Sequence, residues 1–211
     1  MINNFNKILC LAPHTDDMEF GCGGTVSKFI EYEKDVYCVA FSLAKKSIPI
    51  GFSEDCTLNE FKQSTKSLGL KENNIIILDF DVREFPSYRQ LILEEMIHLN
   101  QCIKPDLVIL PSSFDTHQDH KTIYEEGIRA FKKTSIFGYE IITNNFFYRT
   151  DIFIPLEERH LENKINALNC YRSQEIKLPN GFDFIKNLAI IRGNQIGISY
   201  AECFECIRLI I

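Results

Sequence analysis

Nowhere does the sequence hold the roughly 18 consecutive apolar residues that suggest a membrane-spanning helix. Its opening, MINNFNKILCLAP, has too short a greasy run for the core of a secretion signal. Runs of five or more basic residues are also missing, and a net charge of -6 at pH 7 gives no long-range attraction to a phosphate backbone. These absences point to a soluble cytoplasmic protein with no membrane span and no nucleic-acid partner. No Gly/Ser linker, repeat or low-complexity stretch divides the 211 residues, so the chain reads as a single domain over 1–211.

A disulfide framework is lacking too. The eight cysteines, Cys10, Cys22, Cys38, Cys56, Cys102, Cys170, Cys203 and Cys206, are irregularly spaced, and thiols stay reduced in a cytoplasmic chain. Cys203 and Cys206 make a single CxxC, half of a structural zinc site, with no second pair at the usual spacing. The surrounding YAECFECIRLII looks like a strand, so we read these thiols as packing residues.

What the chain does hold is an alternation of short apolar runs with amphipathic stretches. Candidate strands are Lys7 to Ala12, Asp35 to Ser42, Asn74 to Phe80, Asp106 to Leu110 and Phe137 to Tyr148. Between them, Val26, Phe29 and Ile30 line one helix face, and Ile92, Met96, Leu99 and Ile103 repeat at helical spacing on another. Parallel strands need crossover helices, so the pattern indicates an α/β fold, Rossmann-like, three layers α/β/α, with a mostly parallel sheet. After Pro155 come a polar helix, LEERHLENKINALNCYRSQ, a segment around Asn180 to Gly197 and a strand-like tail from Tyr200. Ligands in such folds sit at the carboxyl ends of the strands.

Two of those ends carry chemistry. His14-Thr15-Asp16-Asp17 follows the first strand, and Asp115-Thr116-His117-Gln118-Asp119-His120 follows DLVIL; three of the five histidines lie in these loops. Catalytic zinc takes three His, Asp, Glu or Cys ligands and keeps a fourth position for water. His14 and Asp17 can supply two ligands and His120 the third. Asp16, His117 and Asp119 then stand beside the metal as spare acid, base and imidazole, which is what hydrolysis requires. The aspartates could instead cap helices, with SSFDT starting the helix after DLVIL. Capping leaves the histidines unexplained, because an imidazole gains nothing special at a helix start. GCGGTV does not complete a dinucleotide fingerprint: Val26 stands where G-x-G-x-x-G needs its third glycine. The glycines fit better as sites where the first helix approaches the sheet closely.

These residues resemble the LmbE/PIG-L family of zinc-dependent N-acetylglucosaminyl deacetylases, whose signatures read A-H-P-D-D-E and H-P-D-H. Here they become APHTDDMEFGCGGT and HQDH, and FKQSTKSLGL, CYRSQ and RGNQIGISYAECFECIR resemble further family segments in order. The resemblance implies Zn2+ bound by His14, Asp17 and His120. It makes Asp16 the general base, His117 the group that stabilises the oxyanion and helps protonate the leaving amine, and Asp119 a partner that orients His117. It implies removal of acetyl from an N-acetylated amino sugar of a small-molecule or glycoconjugate substrate. Polysaccharide or glycoconjugate modification enters by analogy. Family members often assemble, so a homo-oligomer is compatible, though no periodic apolar surface stands out.

The departures are Thr15 for the first proline, Met18 for the acid and Gln118 for the second proline; none is a ligand or base position. Many relatives carry an arginine before the glutamate matched by Glu60, where this chain reads CTLNE. Arg83, at another strand end, could grip a polar or anionic substrate group instead, or be a solvated loop charge; Asp115 could bind metal, substrate or neither, and as a substrate contact it joins Arg192 as a further candidate. Two other readings remain: a non-catalytic sugar-binding or assembly module of the same fold, and a metal hydrolase of another amide or ester.

Overall fold

In the computed structural model, which describes residues 4–210, seven strands form one sheet in the order β3-β2-β1-β4-β5-β7-β6. Five of them, β1 (Lys7–Ala12), β2 (Asp35–Ala40), β3 (Ile75–Ile77), β4 (Leu107–Pro111) and β5 (Ser135–Tyr139), run parallel. The long β7 (Tyr200–Arg208) pairs antiparallel with both β5 and β6 (Ile152–Leu156). The α/β fold with a mostly parallel sheet is therefore as expected. The chain moves outward from β1 to β3 and then returns to the other side of β1, so its direction reverses between the neighbours β1 and β4, where such sheets open a crevice.

The alternation of side chains along each strand splits the apolar residues between two layers. Ile8, Cys10 and Ala12 of β1 join one core with α1 (Asp17–Glu31), α2 (Cys56–Leu68), α5 (Glu158–Leu168) and α7 (Asp183–Asn194). Leu9 and Leu11 join the other, with α3 (Phe85–Ile103) and α4 (Gln118–Ala130). A strand buried on both faces cannot alternate polar and apolar, which is why β1 reads as an unbroken greasy run. On α3, Ile92, Met96, Leu99 and Ile103 are all buried. On α1, Val26 and Phe29 are buried while Ile30 is half-buried.

The glycines of α1 do allow close approach. A Cβ on Gly21 would sit 2.3 Å from the Tyr139 ring, and one on Gly24 would sit 2.6 Å from Leu156. Between them the helix kinks at Cys22 (φ -146, ψ 19). The freed amides of Gly24 and Thr25 donate to the Glu202 carboxylate (3.0 and 2.6 Å), which pairs with buried Lys164 at 2.7 Å. The short α6 (Arg172–Glu175) is separated from α5 by a break at 169–171, so the expected polar helix is two.

Three strand expectations change. Of Asn74 to Phe80, only Ile75–Ile77 pairs, on the sheet edge. The run from Phe137 begins earlier, at Ser135, and ends at Tyr139; residues 140–151 form a loop. The strand β6 was unforeseen because Pro155 interrupts its pattern, and proline is tolerated there because β6 is an edge strand. Cys203 and Cys206, three apart on β7, point to opposite faces and are free thiols.

Candidate active site

The ends of β1 and β4 bring the two histidine loops together. After β1 the chain turns so that the His14 amide donates to Asp17 Oδ2 (2.7 Å), and α1 begins at Asp17. Asp16 occupies the N-cap position, but its carboxylate does not cap the helix; it is half-buried and lines a cavity of about 420 Å³. A cavity of that size suits a small-molecule site. Behind this loop, Tyr171 Oη donates to the Thr15 carbonyl (2.6 Å) and lies 3.0 Å from Glu19 Oε1. Glu19 is fully buried, its Oε2 has no hydrogen-bond partner among the described residues, and burial pushes its carboxyl up to about 8. Glu60 accepts from the Ser173 amide and hydroxyl (2.9 and 2.6 Å). Thus CYRSQ pins the loop and α2, contacts invisible at separations above 100 residues.

At the centre, three atoms form a nearly equilateral triangle. Asp17 Oδ2 lies 3.1 Å from His14 Nδ1 and 3.2 Å from His120 Nε2, and the two nitrogens are 3.3 Å apart. Tetrahedral coordination with bonds of about 2.0 Å sets its ligand atoms roughly 3.3 Å apart, so the triangle fits a metal ion. His14, His117 and His120 also form a potential metal-holding group, their ligand atoms within 4.8 Å of one another.

The remaining ring nitrogens of the two triangle histidines are held by carboxylates. His14 Nε2 lies 3.0 Å from Asp119 Oδ2, and His120 Nδ1 lies 2.7 Å from Asp115 Oδ2. Carboxylates in this position fix the tautomer and orientation of a metal-binding imidazole. Asp119 is therefore the partner of His14, not of His117 as the resemblance implied. Asp115, offered by the sequence as a candidate substrate contact, is buried against His120 and does not line the cavity. A signal for both was present: the loop DTHQDH contains two carboxylates beyond the ligand count, and ligating imidazoles usually recruit such groups.

Charge supports the same conclusion. Asp17, Asp115 and Asp119 are all buried (6, 1 and 0 % exposed), and among the described residues no lysine or arginine forms an ion pair with them. Without a metal, the imidazoles must supply the balancing charge. Burial lowers the pKa of His14, but hydrogen bonds to Asp119 and Asp17 and the charge of Asp17 outweigh it and lift it to about 9. Burial likewise lowers His120, and the Asp17 charge with the Asp115 bond raises it to about 10. Burial works to raise Asp17, yet His120 and His14 hold it well below the usual carboxylate range. Two imidazolium charges and one divalent cation are interchangeable in this balance.

His117 differs from both. It is the N-cap of α4, and its Nδ1 accepts the Asp119 amide at 3.1 Å. An imidazole thus has a specific use at this helix start, contrary to expectation. With Nδ1 committed as an acceptor, Nε2 carries the proton. Burial, then the charges of His120 and His14, lower its pKa and so favour the neutral ring. Burial and then Asp17 push Asp16 up to about 6.

Arg83 lines the cavity, whereas Arg192 does not. Arg192 is bound to Glu140 (2.5 and 3.0 Å) and lies against the Tyr148 ring, so that candidate contact falls outside the site.

Comparison with known proteins bears on this geometry. The family model PIG-L, described as GlcNAc-PI de-N-acetylase, matches residues 9–131. Diacetylchitobiose deacetylase of Thermococcus kodakarensis is 25% identical over 228 residues, covering 95% of this chain and 82% of the relative. The N,N'-diacetylchitobiose deacetylase of Pyrococcus horikoshii, solved with its inhibitor MPG, superposes with a TM-score of 0.80 at 21% identity, over 97% of this chain and 84% of that one. A hydratase has the same fold: 4-carboxy-2-hydroxymuconate hydratase GalB of Pseudomonas putida KT2440 superposes at 0.78 with 17% identity, over 97% and 98% of the two chains. Fold alone therefore does not select the reaction.

Proposed function

The chain belongs to the PIG-L family, and from that premise we propose that it is a zinc-dependent hydrolase removing the N-acetyl group from a GlcNAc-type amino-sugar conjugate in the cytoplasm. The observation that carries this reading is the triangle of His14, Asp17 and His120 beside the uncapped carboxylate of Asp16. No helix among the described residues is long and apolar enough to cross a membrane.

His14, Asp17 and His120 would hold the ion. Two imidazoles and a carboxylate with an open position suit zinc. When bound, zinc supplies Lewis acidity toward a water and the amide carbonyl. Asp16, more basic than an ordinary carboxylate, takes a proton from the attacking water as its oxygen bonds to the carbonyl carbon. It returns that proton to the amide nitrogen as the C–N bond breaks, so the products are acetate and a free amine. Neutral His117 donates its Nε2–H to the carbonyl oxygen, where negative charge develops. Asp115 and Asp119 orient the two ligand rings.

Acetate release from a panel of N-acetylhexosamine conjugates, by zinc-loaded and chelator-treated protein, tests the reading. Metal-dependent release that falls about 10²- to 10⁴-fold in Asp16→Asn is expected for loss of a general base. Stoichiometric zinc with no acetate released from any such conjugate overturns it. Failure to bind metal favours the non-catalytic module.

A further inference from the structure

Four cationic side chains belong to the cavity wall or to the turn that adjoins it, and they divide into two kinds. Lys45 and Lys46 pair with Asp79 and Asp81 at 2.6 and 3.2 Å. Arg83 and Lys177 line the cavity, and among the described residues neither has a carboxylate within ion-pair distance. Each instead donates to a backbone carbonyl: Arg83 Nη2 to Lys46 at 3.4 Å, and Lys177 Nζ to Ser47 at 3.1 Å. Those carbonyls are consecutive in one turn, so the two charged heads converge on the same wall. Lys177 is also near enough to Asp16 to act on its charge.

Arg83 is held there at a conformational cost. Its φ of 70 lies in the left-handed region that disfavours a side chain. The loop bearing His120 keeps it so: the Arg83 amide donates to Asp119 Oδ2 (2.6 Å), and the Gln118 side chain donates to the Arg83 carbonyl. Gln118 stands where the family motif has proline, which has no donor. This chain's departure from the motif therefore supplies the second half of a clamp on Arg83.

We propose that Arg83 and Lys177 form an anion subsite, with Gln118 as a positioning residue for Arg83, so that the substrate is an amino-sugar conjugate bearing a phosphate or carboxylate near the acetamide. The proposal rests on the deacetylase reading for the sugar, and on the unpaired cations and the clamp for the charge. A guanidinium fork and an ammonium lining the same cavity match the several acceptor oxygens of either anion. In a chain of net charge -6, two cations left unneutralised at a cavity mouth also attract an anion against the overall field.

The test is calorimetric binding to zinc-loaded Asp16→Asn protein, which separates binding from turnover. The probes are methyl N-acetylglucosaminide, its carboxymethyl counterpart and N-acetylglucosamine 1-phosphate. At least one anionic probe is expected to bind about tenfold more tightly than the methyl glycoside, and which one does so identifies the anion. Arg83→Gln, Lys177→Gln and Gln118→Ala should each erase most of that preference while leaving methyl glycoside affinity unchanged, a selectivity that general disruption of the fold would not produce. Equal affinity for charged and neutral probes overturns the subsite alone. So does a preference that persists in Arg83→Gln and Lys177→Gln, which assigns the anion to the metal. Failure of all three probes to bind overturns both the subsite and the amino-sugar reading.

Discussion

Helix α1 carries a buried charge cluster at each of two points, and they are built on opposite terms. At the kink, the Glu202 carboxylate receives two amides and the Lys164 ammonium; its charge is balanced by the protein. At the N-terminus, Asp17 shares its surroundings with Asp115 and Asp119, and among the described residues the only side chains in ion-pair contact with them are imidazoles. A buried cluster that closes on itself holds the fold together. One whose balancing charge can be exchanged is suited to hold an ion.

The comparison breaks if either cluster behaves like the other. The largest contrast is expected from Asp17→Asn and Lys164→Met. Asp17→Asn should abolish metal binding and acetate release, measured by elemental analysis and turnover, while the protein stays folded. Lys164→Met should leave metal uptake intact yet cost about 3–5 kcal/mol in urea unfolding, because the Glu202 charge loses its buried partner. Next in size, Asp115→Asn and Asp119→Asn should each weaken metal affinity about 10- to 100-fold, as expected when the group orienting a ligand ring is altered. Equal affinity in both variants and wild type would remove their positioning role.

A smaller effect sharpens the exchange of two protons for one ion. With His14 at about 9 and His120 at about 10 in the metal-free protein, binding near pH 7 should expel both protons. The logarithm of the apparent affinity should therefore rise by about two per pH unit below pH 9 and level off above 10. Calorimetry in buffers of different ionisation enthalpy counts the protons released. Stability of the metal-free protein runs the other way. Both pKa values exceed the ordinary histidine value near 6.5, so their contribution is complete below that pH and is lost as pH rises through 9 to 10. Urea midpoints of metal-free protein between pH 6 and 10 should fall accordingly, and a flat profile would show that the imidazoles are not charged without metal.

The parts of the site written within a few residues were legible. HTDD and HQDH place their imidazoles and carboxylates through one turn each, and the alternating pattern implies that both turns lie on one sheet edge. Contacts that cross the fold were not legible. That Asp119 would hold His14, 105 residues away, depends on how β1 and β4 lie side by side. Arg192 looked available for substrate because no local pattern reveals its pairing with Glu140, 52 residues earlier. Pro155 concealed β6, since edge position is a property of the sheet and not of the segment.

By itself the sequence determined the alternating architecture and the crowding of His14, Asp16, Asp17, His117 and His120 into two short turns, because strand burial and short-turn geometry depend on neighbouring residues. Only the tertiary structure decided which carboxylate orients which imidazole, that His117 caps α4 and so presents a neutral N–H donor, and that Gln118 and Asp119 clamp Arg83. Those outcomes depend on hydrogen bonds between segments brought together by the sheet, whose geometry exists only once the layers are packed.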